Sequence, residues 1–140
     1  HEVIDQYPDM EMVAQQTANW EKTEAYDKME AMLQANPDIE GVMCGNDTML
    51  EGVCAALQAA GKKLPVIGVD GSDEAAALIK SGDATGTALQ QFAVIAETAV
   101  VQADKYLKEG STGAEEKQLI DCIAITADNV DKLAGFVYTE

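Results

Sequence analysis

Short apolar runs and segments of helical period alternate along the whole chain. Runs of strand length stand at "MEMVAQQ" (10–16), "GVMCG" (41–45), "PVIGVD" (65–70), "ATGTALQ" (84–90) and "QLIDCIAI" (118–125). Between them Tyr26, Met29 and Leu33 share one helical face, as do Met49, Leu50, Val53, Cys54 and Leu57. Phe92, Ile95, Ala96, Ala99, Ala103 and Leu107 repeat the pattern further on. Gly61, Gly82 and Gly110 follow the predicted helix ends, where a left-handed residue closes a helix. Strands separated by helices, without hairpin dipeptides between them, predict parallel β–α–β units. Right-handed crossovers then give an α/β fold: a mostly parallel, doubly wound sheet with helices on both faces. "HEVIDQYPD" has the pattern of a helix tail and a turn, as if the chain begins mid-unit, and "KEGSTGAEEK" (108–117) is the most loop-like stretch.

Composition narrows this picture. A chain of 140 residues, 47% of them apolar, suits one globular domain with a real core. No apolar run approaches the length of a membrane span. His1 is not a start methionine, so the chain is expected to be processed, tagged or a piece of something longer. Nine lysines, no arginine and 25 acidic residues give a net charge of −16. Such a chain repels phosphate backbones and anionic lipid, which speaks against nucleic acid as a partner, and it has no guanidinium fork for a carboxylate or phosphate. Cys44, Cys54 and Cys122 show no C-x-x-C spacing and His1 is the lone histidine, so no metal site and no cofactor is expected. All three thiols are expected to be small buried residues.

In an open parallel α/β sheet, ligands bind at the carboxyl ends of the strands. Those ends carry Gln15, Gln16 and then Trp20; Asn46 and Asp47; Asp70; and Gln90 and Gln91. Amides, carboxylates and one large aromatic suit a neutral, hydroxyl-rich ligand. A carboxylate accepts from adjacent hydroxyls, an amide donates to one and accepts from the next, and an indole face covers the C–H side of a sugar ring. Each residue also has a plainer reading. Thr48 and Glu51 have capping-box spacing, so Asn46 or Asp47 could serve the free N–H groups of a helix start. Asp70-Gly71 could be an ordinary turn with Ser72 as a helix cap, and Trp20 a core residue. There is no G-x-G-x-x-G or Walker loop. A receiver domain would need a lysine where Gln90 stands, and a calcium loop begun at Asp70 would need glutamate where Ser81 stands. Hydrolysis by Asp47 and Asp70 as paired carboxylates lacks a third group.

The stretches "AQQTANW", "NPDIEGVMCGNDTMLEGVCAALQAAGK", "PVIGVDGSDEAAALIKSGDATGTALQQ" and "AITADNVDKL" closely resemble the periplasmic sugar-binding proteins of ABC transporters, of the ribose-binding, type I class. The fused order of "ND", "VDG" and "ALQQ" after successive strands is the most specific part of the likeness. The resemblance implies a non-enzyme whose two α/β lobes close over a sugar or polyol and pass it to a membrane permease. It implies an extracytoplasmic location, as a periplasmic protein or an anchored lipoprotein. Residues 1–140 then form the C-terminal ligand-binding lobe, without its first strand and helix, and the missing N-terminal lobe becomes its partner. The same likeness implies that Trp20 stacks on the sugar, that Asn46 and Asp70 meet its hydroxyls, and that Gln90 reaches it from near the hinge. It also makes 118–125 the last hinge crossing and "DNVDKL" the C-terminal helix. The effector-binding core of LacI-type transcription regulators shares this fold and stays open as the alternative, although such cores usually read "FDD" where this chain has "VDG". The polar break after "VMCG" is thus expected to divide its work, Asp47 and Thr48 starting the helix and Asn46 facing the ligand.

Overall fold

The computed structural model describes residues 3–139. Three helices come first in the core: α1 (Lys22–Ala35), α2 (Asp47–Ala59) and α3 (Asp73–Ser81). They alternate with β1 (Val42–Met43), β2 (Val66–Asp70) and β3 (Gly86–Leu89). A long α4 (Phe92–Glu109) leads to β4 (Ile123–Thr126), and a short hairpin of β5 (Leu133–Ala134) and β6 (Val137–Tyr138) closes the chain. The main sheet has the order β1-β2-β3-β4. β1, β2 and β3 run parallel, and β4 is antiparallel to β3. The α/β alternation and the mostly parallel sheet are as expected from the sequence. The three glycines after the helices do take left-handed φ, at +65°, +78° and +73°.

The register assigns the two faces. Gly68 pairs with Thr87, and Thr87 with Ile125, so Val66, Gly68, Thr87, Leu89 and Ile125 share one face. All five are buried, against the apolar stripes of the helices: Ala25, Met29 and Leu33 of α1; Leu50, Val53, Ala56 and Leu57 of α2; Ala75 and Ile79 of α3. α1 and α2 approach backbone to backbone, which Gly52 permits. A Cβ there would stand 2.1 Å from the Lys22 carbonyl oxygen. The opposite face carries Met43 and Ile67, paired with each other and exposed. Helices were expected over both faces, but α4 buries none of its residues, and its stripe of Ile95 and Leu107 is open.

Five local expectations are corrected. Residues 10–16 form no strand and lie largely exposed, because no strand among the described residues pairs with them and an unpaired strand gains no ladder bonds. The last strand is shorter and later than 118–125, and its antiparallel ladder runs only where Ile123 to Thr126 face β3. "DNVDKL" makes one 3-10 turn (Val130–Lys132) and then enters the hairpin, whose Gly135-Phe136 tip takes φ of +55° and +63°. Cys122 is exposed at the foot of β4, whereas Cys44 and Cys54 are buried, and all three thiols are free. At the N-terminus, Ile4–Gln6 is a single 3-10 turn rather than a helix tail, and His1 lies outside the described residues.

Candidate functional site

The carboxyl ends of β1, β2 and β3 face the starts of α2, α3 and α4, and Asn46, Asp47, Asp70, Gln90 and Gln91 lie there. Trp20 precedes α1. Asn19 and Trp20 both take left-handed backbone, with φ of +48° and +65°, a conformation that costs a non-glycine residue about 1–3 kcal/mol. The turn brings the indole ring over Gly45, where a Cβ would stand 3.0 Å from the ring. Trp20 remains 65% exposed, so it is not the core residue that a lone tryptophan suggests. Gly45 leads directly into Asn46, and the first pair of candidates is thereby adjacent.

Asp70 and Gln90 form the second pair. The Gln90 side-chain amide donates to Asp70 Oδ1 at 2.7 Å, and the Gln90 backbone N–H donates to the Asp70 carbonyl at 3.2 Å. One Asp70 oxygen and the Gln90 amide oxygen remain to receive hydroxyls. Asp70 has φ of +129°, a third strained non-glycine residue after Asn19 and Trp20. Gln91 turns away and donates to the Asp121 carbonyl. Gln15 and Gln16 stay exposed on the unpaired segment.

The division of labour expected at "ND" is reversed for capping. Asn46 is the N-cap of α2, its Oδ1 accepting from the Met49 N–H at 2.8 Å. Its Nδ2 is left for another partner, so capping and a ligand contact are compatible on the two ends of one amide. Glu51 closes no capping box; it pairs with Lys22 at 2.7 Å. Asp47 turns inward and is 2% exposed. Its Oδ2 accepts from the backbone N–H groups of Gly71 (2.9 Å) and Ser72 (2.8 Å), and its Oδ1 from the Thr87 hydroxyl (2.7 Å). Burial pushes this carboxyl above its ordinary value, and the bonds from Ser72, Thr87 and Gly71 offset part of that rise. Gly68 makes the room, since a Cβ there would stand 2.2 Å from Asp47 Oδ1. Ser72 caps α3 through Ala75 N–H, as its position suggests.

Asp47 thus ties the loop after β1 to the loop after β2 and to β3, and it joins the Trp20–Asn46 pair to the Asp70–Gln90 pair. The capping-box spacing hid it in the sequence. The signal that could have found it is the glycine in the middle of β2, beside which a buried side chain must lie. Farther from the rim, burial raises the Cys44 thiol to about 12 and the Cys54 thiol to about 11, which holds both protonated.

Known proteins of this architecture decide the family. Residues 1–112 match the family described as periplasmic binding protein domain. The chain belongs to that family. It is 56% identical over 138 residues to the D-apiose import binding protein of Actinobacillus succinogenes, covering 97% of this chain and 44% of that protein. The xylitol-binding protein of Mycolicibacterium smegmatis is 36% identical over 141 residues, covering 99% of this chain and 40% of that protein. Among solved structures, an ABC transporter periplasmic solute-binding protein from Actinobacillus succinogenes with bound D-allose superposes with a TM-score of 0.84. It is 28% identical, covering 93% of this chain and 46% of that one. The chain therefore spans less than half the length of these relatives. Its type I periplasmic binding fold is that of the matching part of the solved proteins.

Proposed function

We propose that this chain is the C-terminal ligand-binding lobe of an extracytoplasmic solute-binding protein. Such a protein takes a small sugar or polyol between two lobes and delivers it to the permease of an ABC transporter. The observation that carries the reading is the convergence of Trp20, Asn46, Asp70 and Gln90 at three neighbouring strand ends, in a chain 56% identical to a D-apiose import binding protein. Trp20 supplies a ring face, Asn46 Nδ2 a donor, Asp70 an anionic acceptor and Gln90 a second acceptor. In this reading all four hold the ligand and the protein works as a receptor, in keeping with relatives named as binding proteins. A hydroxyl displaced in an epimer leaves a buried polar group without its partner, at about 1–3 kcal/mol each, which gives the site its selectivity.

The second lobe supplies the opposite wall of the site, in keeping with relatives about twice as long as this chain. The test is a thermal-shift screen of pentoses, hexoses and polyols, D-apiose, D-allose and xylitol among them, on the full-length gene product. A stabilising shift with a small branched or linear polyhydroxyl compound supports the reading. No shift with any of them, against a shift with an amino acid or a nucleotide, overturns it.

A further inference from the structure

We propose that Asp47 is a positioning residue for the sugar site: a buried carboxylate that locks the Asp70–Gly71 turn and so aims the Asp70 carboxylate at the ligand. This rests on the sugar-binding reading above and adds to it a residue that, at 2% exposure, meets no ligand itself.

The geometry is specific. Asp70 and Gly71 take consecutive positive φ, +129° and +83°, which the chain does not hold without external bonds. The two N–H groups that follow Asp70, those of Gly71 and Ser72, both donate to Asp47 Oδ2. That fixes the peptide leaving Asp70 and hence the direction of its Cα–Cβ bond. Gln90 fixes the side chain beyond it through Oδ1. Thr87 in turn orients the lock, donating to Asp47 Oδ1 while its own oxygen accepts from Gly71 N–H at 3.3 Å. Asp47 does not serve its own helix, whose cap is Asn46. A carboxylate buried at this depth, with one oxygen spent on the backbone of another loop and the other on the Thr87 hydroxyl, holds that loop in place.

The test is a double-substitution cycle in the full-length protein, titrated with D-apiose by calorimetry well below each variant's melting temperature. Asp70→Asn and Asp47→Ala are each expected to weaken D-apiose binding about tenfold or more. Because Asp47 acts through Asp70, adding Asp47→Ala to Asp70→Asn costs no more than about a further threefold. Asp47→Asn restores binding to within about threefold, since its amide oxygen accepts from both backbone N–H groups and its NH2 donates to Thr87 Oγ1. A mere strut would lower the melting temperature of Asp47→Ala and leave its affinity unchanged; that result, or full additivity with Asp70→Asn, overturns the proposal. Should Asp47→Ala not fold, Thr87→Val replaces it in the cycle, and independence of Thr87→Val from Asp70→Asn overturns it equally. If Asp70→Asn binds normally, the sugar-site role of Asp70 fails and the proposal with it. Weak Asp70→Asn with intact Asp47→Ala overturns the proposal and leaves the site standing. Should the unsubstituted protein not bind D-apiose, the sugar reading fails for that ligand. Amide exchange at Gly71 and Ser72 then decides the lock, faster in Asp47→Ala if it exists and unchanged if it does not.

Discussion

The two faces of the sheet are unequal. Val66, Thr87, Leu89 and Ile125 lie under three helices and are buried, while across the same strands Met43 is 70% exposed and Ile67 40%. Both faces are apolar, because strands of a parallel sheet carry apolar residues on both sides. Coverage differs, since α1, α2 and α3 pack on one side and α4 buries nothing. The strand ends that carry the candidate site hang from the dense side, through Asp47 and Gly68. A site whose residues must stay placed within fractions of an ångström thus stands on the more densely packed side of the sheet.

Stability should divide along the same line. Leu50, fully buried, is expected to lose about 2–5 kcal/mol on Leu50→Ala, against about 0.5 kcal/mol for Ile67→Ala. Urea unfolding of the chain measures both, and equal losses would break the contrast. Gly68→Ala should cost about 1–3 kcal/mol by pressing on Asp47 and Leu50, more than a surface alanine and less than the Leu50 cavity.

A smaller effect depends on pH. Because burial holds the Asp47 carboxyl above its ordinary value, the folded chain binds more protons than the unfolded one just above that value. Its contribution to stability is therefore largest in acid and declines as pH rises through the folded-state value. The advantage of the unsubstituted chain over Asp47→Asn should shrink from about pH 4 to about pH 7, as read from urea midpoints; an advantage that grows would mean that the hydrogen bonds outweigh burial. Smallest is the thiol contrast. With Cys44 and Cys54 buried and protonated, a thiol reagent should modify Cys122 in the native chain and all three cysteines after unfolding. Rapid native labelling of Cys54 would show that the dense side opens.

Periodicity carried most of this fold. The stripes of α1 and α2 were legible because each buries one face, and the strands β1, β2 and β3 because they are short and apolar. The segment 10–16 is also apolar but has no strand beside it among the described residues, and strand formation depends on a partner that its own residues do not encode. The stripe on α4 was legible, whereas its lack of cover was not. At the site, the residue types at the strand ends were readable one by one. That Asn46 caps the helix while Asp47 turns inward was not, because one residue of offset decides which side chain meets the helix start and which is buried. Trp20 shows the same limit, since its exposure follows from two consecutive left-handed residues with no glycine to announce them.

The central claim is that Trp20, Asn46, Asp70 and Gln90 form one wall of a sugar site. It is tested most directly by calorimetric titration of D-apiose into the full-length protein, its Asp70→Ala variant and the isolated 140-residue chain. The account predicts tight binding in the first, loss of about 2–3 kcal/mol or more in the second with an unchanged melting temperature, and weak or no binding in the third. Full affinity in the Asp70→Ala variant, or micromolar affinity in the isolated chain, would contradict it.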